Sequence, residues 1–203
     1  MGELILEIFG TVTGLLYVWL EIKHRRSMWI VGIVMSVCYI VVFGVEALYA
    51  SMGLYVYYLG MSLYGWFKWG AKTLQARQQQ LQPDPNPDFT PEPNPELKPV
   101  HLDASTAWMT AGLLVVVFSG VWAVLRFLTD HPAPAMDAAI TTLNMVATWL
   151  LTRSIVEQWL LLIVANILAI ILYAHTGLWF TTGLYTVYLV ASVIGYISWR
   201  RKI

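Results

Sequence analysis

Polar and aromatic side chains recur at helical spacing in the last third of the chain. Trp159, Asn166 and Tyr173 are seven residues apart, so they share one stripe of a helix, because seven residues make nearly two turns. Asn144 and Thr148 are four residues apart and share a face of the preceding helix. With two tyrosines of the following helix, these stripes give seven candidate substrate-binding residues: Asn144, Thr148, Trp159, Asn166, Tyr173, Tyr185 and Tyr188.

This combination of side chains is suited to binding a solute. Aromatic faces stack on a flat heteroaromatic ring, and they attract a cation even where no carboxylate is present. An amide in the middle of an apolar helix needs a hydrogen-bond partner from protein, water or ligand, because leaving it unpaired in lipid is costly. The structural alternative is that Tyr188 joins two helices and that Trp159 anchors a helix end.

The sequence contains no arrangement typical of catalysis. It has no phosphate-binding loop, no nucleotide fingerprint and no paired nucleophile and base. The four histidines are scattered and form no metal-ligand pattern. We therefore predict no enzymatic activity, no cofactor and no metal. We also predict no nucleic-acid partner, although the net charge of zero is itself uninformative about an acidic or basic partner. A deep acidic residue is not expected, since Glu7 and Glu21 lie toward the ends of the first apolar segment, and Glu46 and Asp137 near the outer surface.

Composition places the chain in a lipid bilayer. Hydrophobic residues make up 58% of its 203 residues and charged residues only 12%, against about 25% charged in a typical soluble domain. Apolar runs of about 20 residues match the thickness of a membrane. The sequence predicts an all-α integral membrane protein whose seven spans are 4–22, 28–46, 50–69, 105–128, 136–152, 157–174 and 178–199. The start of the chain lacks the basic segment of a secretory signal, so the first span is expected to be retained.

Basic residues indicate the orientation of these spans. Eleven of the twelve lysines and arginines fall on the side where the third and seventh spans end, and only Arg126 falls on the other. The positive-inside rule then places the N-terminus outside and the C-terminus in the cytoplasm. Five tryptophans near the cytoplasmic helix ends are expected to form an aromatic belt, although some could face inward: Trp29, Trp66, Trp69, Trp159 and Trp199.

The first three spans match the last three at a constant offset of 130 residues. Gly53-Leu54-Tyr55 corresponds to Gly183-Leu184-Tyr185, and Trp29 corresponds to Trp159. Matched tryptophans, tyrosines and glycines are not a by-product of apolar composition, so we infer a duplication. The expected organisation is a first three-helix repeat at 1–70, a proline-rich cytoplasmic loop at 71–104, a linking transmembrane helix at 105–130 and a second repeat at 131–203. Because three spans are followed by one linking span, the 3+1+3 repeats run parallel, as in some transporters.

Several segments resemble the PnuC family of bacterial vitamin transporters. They include Trp29-Ile30-Val31-Gly32, Tyr64-Gly65-Trp66-Phe67-Lys68-Trp69, the stretch 147–159 and Gly195-Tyr196-Ile197-Ser198-Trp199-Arg200. The resemblance covers nearly the whole chain except the proline-rich loop. It implies a 3+1+3 fold, residence in the bacterial inner membrane, a homotrimer, and facilitated diffusion of nicotinamide riboside, which a cytosolic vitamin kinase then traps.

The chain departs from the family pattern at the expected site. Members often carry Trp-x-x-Trp-x-x-x-Asn on the sixth span, where Trp159 and Asn166 match but Leu162 stands at the second tryptophan. Members also often carry Ser and Gln on the fifth span, where this chain has Asn144 and Thr148. Thiamine, another cationic heteroaromatic vitamin, therefore remains an alternative substrate. The sequence is also compatible with a sugar transporter of similar design, with a membrane scaffold that transports nothing and, last, with a membrane enzyme.

Overall fold

The computed structural model describes residues 2–45, 49–80, 98–127 and 133–203, and it describes the side chains of residues 9–45, 51–78, 98–127 and 133–203. These residues form seven helices: α1 Gly2–Ile22, α2 Met28–Val45, α3 Tyr49–Gln80, α4 Ala104–Phe127, α5 Pro134–Leu151, α6 Gln158–His175 and α7 Trp179–Arg200. By length and composition, α2, α4, α6 and α7 can each cross a membrane, and α1 has a shorter apolar part, Phe9–Ile22. Within the described ranges no strand is present, which confirms the all-α prediction.

Helix α3 continues beyond the predicted end of the third span. It reaches Gln80, so ten residues of the segment expected to be a loop from residue 71 are helical. These residues, Ala71-Lys72-Thr73-Leu74-Gln75-Ala76-Arg77-Gln78-Gln79-Gln80, are mostly strong helix formers. The first proline of the segment is Pro83, so nothing before it interrupts the helix. The prediction of a loop at 81–97 lies outside the described residues.

The duplication is visible in details that composition alone does not produce. His24 and Ser154, 130 positions apart, both have a positive φ, of 56° and 60°, which is uncommon outside glycine. Each closes the turn between the first two helices of its repeat. The indole rings of Trp29 and Trp69 lie 5.5 Å apart at 89°, and those of the equivalent Trp159 and Trp199 lie 5.6 Å apart at 87°. The two halves therefore share one packing scheme.

The last helix of each repeat is tied to the first helix of the other. Trp69 Nε1 on α3 donates a hydrogen bond to the carbonyl of Thr152 after α5, at 3.2 Å. Trp199 Nε1 on α7 donates to the carbonyl of Glu21 on α1, at 3.1 Å. Helices α3 and α5 pack together, as do α1 and α7, while the linking helix α4 packs on α5. These reciprocal contacts hold the two repeats together around a common interior.

The prediction of an aromatic belt is largely wrong. Four of its five members are fully buried: Trp29, Trp69, Trp159 and Trp199. They form the main core cluster, and the ring of His24 packs edge-on between Trp69 and Trp199, with centroids 4.5 and 4.3 Å away. Only Trp66 is partly exposed, and the Arg26 guanidinium lies 3.7 Å above its ring. Hydropathy does not distinguish an interfacial tryptophan from an inward one at the same depth, which is why the prediction failed.

The segment preceding α4 is fastened to the turn between α5 and α6. Val100 and Ile155 form an isolated parallel β-bridge, in which Val100 N–H donates to the Ser154 carbonyl at 2.9 Å. The Glu157 carboxylate accepts a hydrogen bond from Leu102 N–H and lies 2.9 Å from His101 Nδ1. The end of the long connection is thus fixed beside the first turn of α6.

Candidate functional site

A cavity of about 480 Å³ lies between the two repeats. Six helices contribute lining residues, and α4 is the one helix of the described chain that does not. The volume falls within the usual range of small-molecule sites, roughly 300–1,000 Å³. The duplicated scaffold therefore encloses a space large enough for a vitamin-sized solute.

All seven residues singled out from helical spacing line this cavity: Asn144, Thr148, Trp159, Asn166, Tyr173, Tyr185 and Tyr188. They come from three helices of the second repeat, which face the same interior. The first repeat supplies the opposite wall, with Tyr55, Tyr58 and Ser62 at the positions equivalent to Tyr185, Tyr188 and Ser192. The structure thus brings the predicted residues together, and their role in binding remains a prediction.

Local hydrogen bonds orient the polar side chains of α5. Asn144 Nδ2 donates to the Ile140 carbonyl at 2.8 Å, and the Thr148 hydroxyl donates to the Asn144 carbonyl at 2.8 Å. Both bonds lie within the helix and consume donors. One N–H and the amide oxygen of Asn144, together with the lone pairs of Thr148, therefore remain for a solute on this wall.

Asn166 is held by the neighbouring helix. Its Nδ2 donates to Ser192 Oγ at 3.1 Å, and Ser192 Oγ donates to the Tyr188 carbonyl at 2.8 Å. Both Asn166 and Ser192 are buried. This arrangement satisfies one side of the amide through α7 and fixes its orientation in the cavity wall.

Tyrosines dominate the end of the cavity nearest the start of α5. The rings of Tyr173 and Tyr185 lie 5.2 Å apart, and Tyr188 meets Tyr185 edge-on at 5.8 Å. Across the cavity, Tyr55 and Tyr58 repeat the edge-on contact at 5.9 Å. Such ring clusters present π faces on which a heteroaromatic ring or a cation can rest.

Two carboxylates line the cavity, Glu21 and Asp137, and among the described lining residues there is no lysine, arginine or histidine. Glu21 is 2% exposed, so the expectation that no deep acidic residue exists is wrong. Its Oε1 accepts a hydrogen bond from Gln158 Nε2 at 2.9 Å. The side chains of Glu7 and Glu46 lie outside the described residues. The described part of the lining therefore carries only negative formal charge, which favours a cationic solute.

Sequence analysis overlooked Glu21, Gln158 and Tyr17 as lining residues. Glu21 stands next to the basic turn that starts at Lys23, so it reads as a solvated helix end. A signal was nevertheless present. Gly14, Tyr17 and Glu21 follow the same helical spacing of three and four residues that marked the second repeat, and all three line the cavity.

Residues 4–201 match the nicotinamide mononucleotide transporter family. This chain belongs to that family. It is 26% identical over 181 residues to the nicotinamide riboside transporter PnuC of Escherichia coli strain K12, an alignment that covers 86% of this chain and 76% of that protein. It is also 26% identical over 201 residues to the PnuC of Haemophilus influenzae, covering 98% of this chain and 80% of that protein.

A solved structure shares the fold. The crystal structure of the vitamin B3 transporter PnuC aligns with a TM-score of 0.68 and 27% identity, covering 97% of this chain and 80% of that one. The resemblance inferred from sequence motifs is therefore confirmed, and the chain is a membrane transporter of a family that is not enzymatic. At the position where members often carry a second tryptophan, Leu162 lines the cavity.

Proposed function

We propose that this chain imports nicotinamide riboside across the bacterial inner membrane by facilitated diffusion. The observation that carries the proposal is the lining of the cavity, which combines tyrosines, Trp159 and the carboxylates of Glu21 and Asp137 with no described basic side chain. Nicotinamide riboside is a small pyridinium cation with a sugar and a carboxamide. Aromatic faces and carboxylates attract such a cation, while amides and hydroxyls match its polar groups.

The same charges argue for the riboside over the phosphorylated nucleotide. A phosphate would bring negative charge toward Glu21 and Asp137, and the described lining holds no lysine or arginine to pair with it. A buried anion without a partner is costly. The names of the similar transporters from Escherichia coli and Haemophilus influenzae point the same way.

Each of the seven candidate residues has a role in the proposed complex. The pyridinium ring stacks near Trp159, and Asn166, Asn144 and Thr148 hydrogen-bond the polar groups. Tyr173, Tyr185 and Tyr188 close the other wall, so that the positively charged ring lies between their π faces and Trp159. Rocking of the two repeats about the cavity then exposes the site to each side in turn, as proposed for other parallel-repeat transporters.

The driving force in this proposal is the gradient of the vitamin itself. A cytosolic kinase that phosphorylates the imported riboside would keep its free concentration low and sustain inward flux. The phosphorylated product would also be a poor substrate for return, because its negative charge would face the carboxylates of the cavity.

The membrane arrangement is part of the proposal. The excess of basic residues on one side supports a multi-pass protein with its N-terminus outside and its C-terminus in the cytoplasm. We also propose a homotrimer in the lipid bilayer, on the strength of the family resemblance, and native mass spectrometry in detergent would test it.

Thiamine is the second candidate, because the same lining suits any cationic heteroaromatic ring and because Leu162 departs from the family pattern on the cavity wall. A scaffold protein without transport activity is a weaker alternative, since it would have no need for a polar cavity. Calorimetric titration of the purified protein with nicotinamide riboside, its 5′-phosphate and thiamine separates these functions. The proposal expects saturable binding of nicotinamide riboside alone. Tighter binding of thiamine or of the nucleotide would identify that compound as the substrate instead. Binding of none of the three would favour a scaffold function.

A further inference from the structure

A buried polar pair joins the two repeats at the end of the cavity opposite Tyr173 and Tyr185. Gln158 Nε2, in the first turn of α6, donates to Glu21 Oε1, in the last turn of α1, at 2.9 Å. Gln158 is fully buried and Glu21 is 2% exposed, yet both line the cavity. The backbone of Glu21 is held as well, because its carbonyl accepts the indole N–H of Trp199.

The duplicated scaffold does not need this pair. At the offset of 130 residues, Glu21 corresponds to Leu151 and Gln158 corresponds to Met28. Leu151 and Met28 are both buried in the same apolar core cluster. An apolar contact therefore closes the equivalent crossing in the other half of the molecule. Because a buried charged group and its polar partner are often no more stable than the apolar contact that could replace them, stability does not explain why Glu21 and Gln158 are polar.

Gln158 also has an unsatisfied acceptor. Its Oε1 is buried and has no hydrogen-bond partner among the residues that the structure describes. Within the same residues Trp159 Nε1 also lacks a partner, but so does the equivalent Trp29 Nε1, so this feature belongs to the repeated packing of the tryptophans. The unpaired oxygen of Gln158 has no counterpart in the first repeat, where the residue is methionine. An unmet acceptor next to a carboxylate, both in residues that line a cavity, suits a ligand that donates N–H bonds.

We propose that Glu21 and Gln158 determine specificity by accepting hydrogen bonds from a primary carboxamide or amino group of the solute. This inference rests on the proposed function of the cavity, and for nicotinamide riboside the group is the carboxamide NH₂. Each of the two N–H bonds has an acceptor, one in the Glu21 carboxylate and one in Gln158 Oε1. The charge of Glu21 also rejects analogues in which a carboxylate replaces the carboxamide.

The test compares nicotinamide riboside with nicotinic acid riboside, its nearly isosteric carboxylate analogue. Both are titrated into the full-length protein at about pH 8, because alkaline pH favours the ionised form of a buried carboxyl group. The wild type is expected to bind the carboxamide and to reject the carboxylate. Glu21→Gln should weaken binding of the carboxamide about tenfold, since it removes a charged acceptor, and should lower the preference over the carboxylate by at least about tenfold. Glu157→Gln removes the neighbouring carboxylate outside the cavity and should leave both affinities unchanged.

Gln158→Met, which installs the residue of the first repeat, separates the two roles. It should weaken binding of nicotinamide riboside about tenfold while keeping the rejection of the carboxylate, because Glu21 retains its charge. This variant also keeps the proposal testable if Glu21→Gln does not elute as a single species. An unchanged preference in Glu21→Gln, or unchanged affinity in Gln158→Met, overturns the inference. If the wild type binds nicotinamide riboside in those experiments, only the inference about Glu21 and Gln158 is overturned and the proposed function stands. If the wild type does not bind it, the proposed function itself is wrong.

Discussion

Asn166 on α6 donates its amide N–H to Ser192 on α7 at 3.1 Å, within the wall of the cavity. The equivalent residue of the first repeat, Ser36, donates instead to the Gly32 carbonyl of its own helix at 2.7 Å. The second repeat therefore uses this position to present an amide whose nitrogen is already bonded. The remaining acceptor of that amide, its Oδ1, is the group that we expect a solute to use.

We predict that Asn166→Ser, which installs the residue of the first repeat, weakens binding of nicotinamide riboside about tenfold or more, because a buried hydrogen bond to the solute is lost. Isothermal titration calorimetry in detergent measures the change. Thr142→Val is the matched control, since Thr142 is buried on α5 but does not line the cavity. Equal affinities for Asn166→Ser and the wild type would exclude Asn166 from the site.

Gly65 in the middle of α3 and Gly195 near the end of α7 provide a second, paired prediction. A Cβ at Gly195 would lie 2.5 Å from the Trp159 ring, and a Cβ at Gly65 would lie 2.5 Å from the Trp29 ring. Gly195→Ala and Gly65→Ala should therefore destabilise the protein similarly, by about 1–3 kcal/mol, because both force a buried indole to move. Thermal unfolding in detergent compares them.

Only one of these two substitutions should strongly weaken binding of the solute. Trp159 lines the cavity, whereas Trp29 does not. We expect Gly195→Ala to weaken binding of nicotinamide riboside well beyond the effect of Gly65→Ala at equal loss of stability. Equal effects on affinity would mean that the ring of Trp159 packs the core without contacting the solute.

The tyrosine wall predicts a preference for cationic solutes. Tyr185→Phe keeps the π face and Tyr185→Leu removes it, while both lose the hydroxyl. Because cation–π contacts contribute about 0.5–2 kcal/mol, Tyr185→Leu should bind nicotinamide riboside about 2–30-fold more weakly than Tyr185→Phe. The reduced, uncharged form of the riboside should show a smaller difference between the two variants. The same difference for both forms would indicate shape complementarity in place of charge recognition.

The contacts of Glu157 predict that this residue holds the segment before α4 in place. Its carboxylate accepts from Leu102 N–H and contacts His101, so Glu157→Ala should release the bridge between Val100 and Ile155. Hydrogen exchange should then be faster at the amides of Val100 and Val156, which are bonded to the Ser154 and Val100 carbonyls. Binding of the vitamin should not change, because Glu157 does not line the cavity. Unaltered exchange at both amides would show that the bridge holds without the carboxylate.

Much of the fold was accessible from the sequence because two strong constraints act on it. The thickness of the membrane sets the length of each apolar run, and the duplication repeats large residues such as Trp29 and Trp159 at one offset. The candidate residues were found for a related reason. A polar residue such as Asn166 in a lipid-spanning helix stands out against its apolar neighbours, and helical spacing shows which others share its face.

What the sequence did not reveal depends on contacts between distant elements. The burial of Trp69 and Trp199 follows from the packing of the last helix of each repeat against the first helix of the other. There the two indole N–H groups donate to the carbonyls of Thr152 and Glu21. Glu21 is buried for the same reason, because α6 brings Gln158 against it. The spacing of Gly14, Tyr17 and Glu21 marks the face on which Glu21 lies. The partner on another helix leaves no signal along α1.

Counterflow in liposomes tests the central claim most directly. Purified protein is reconstituted into vesicles loaded with unlabelled nicotinamide riboside, without ion gradients or nucleotides, and labelled riboside is added outside. The account predicts transient accumulation of the label in wild-type vesicles, loss of most of that accumulation with Asn166→Ser, and none in protein-free vesicles. Absence of accumulation in wild-type vesicles, with saturable binding demonstrated on the same preparation, would contradict facilitated transport of this vitamin through the cavity.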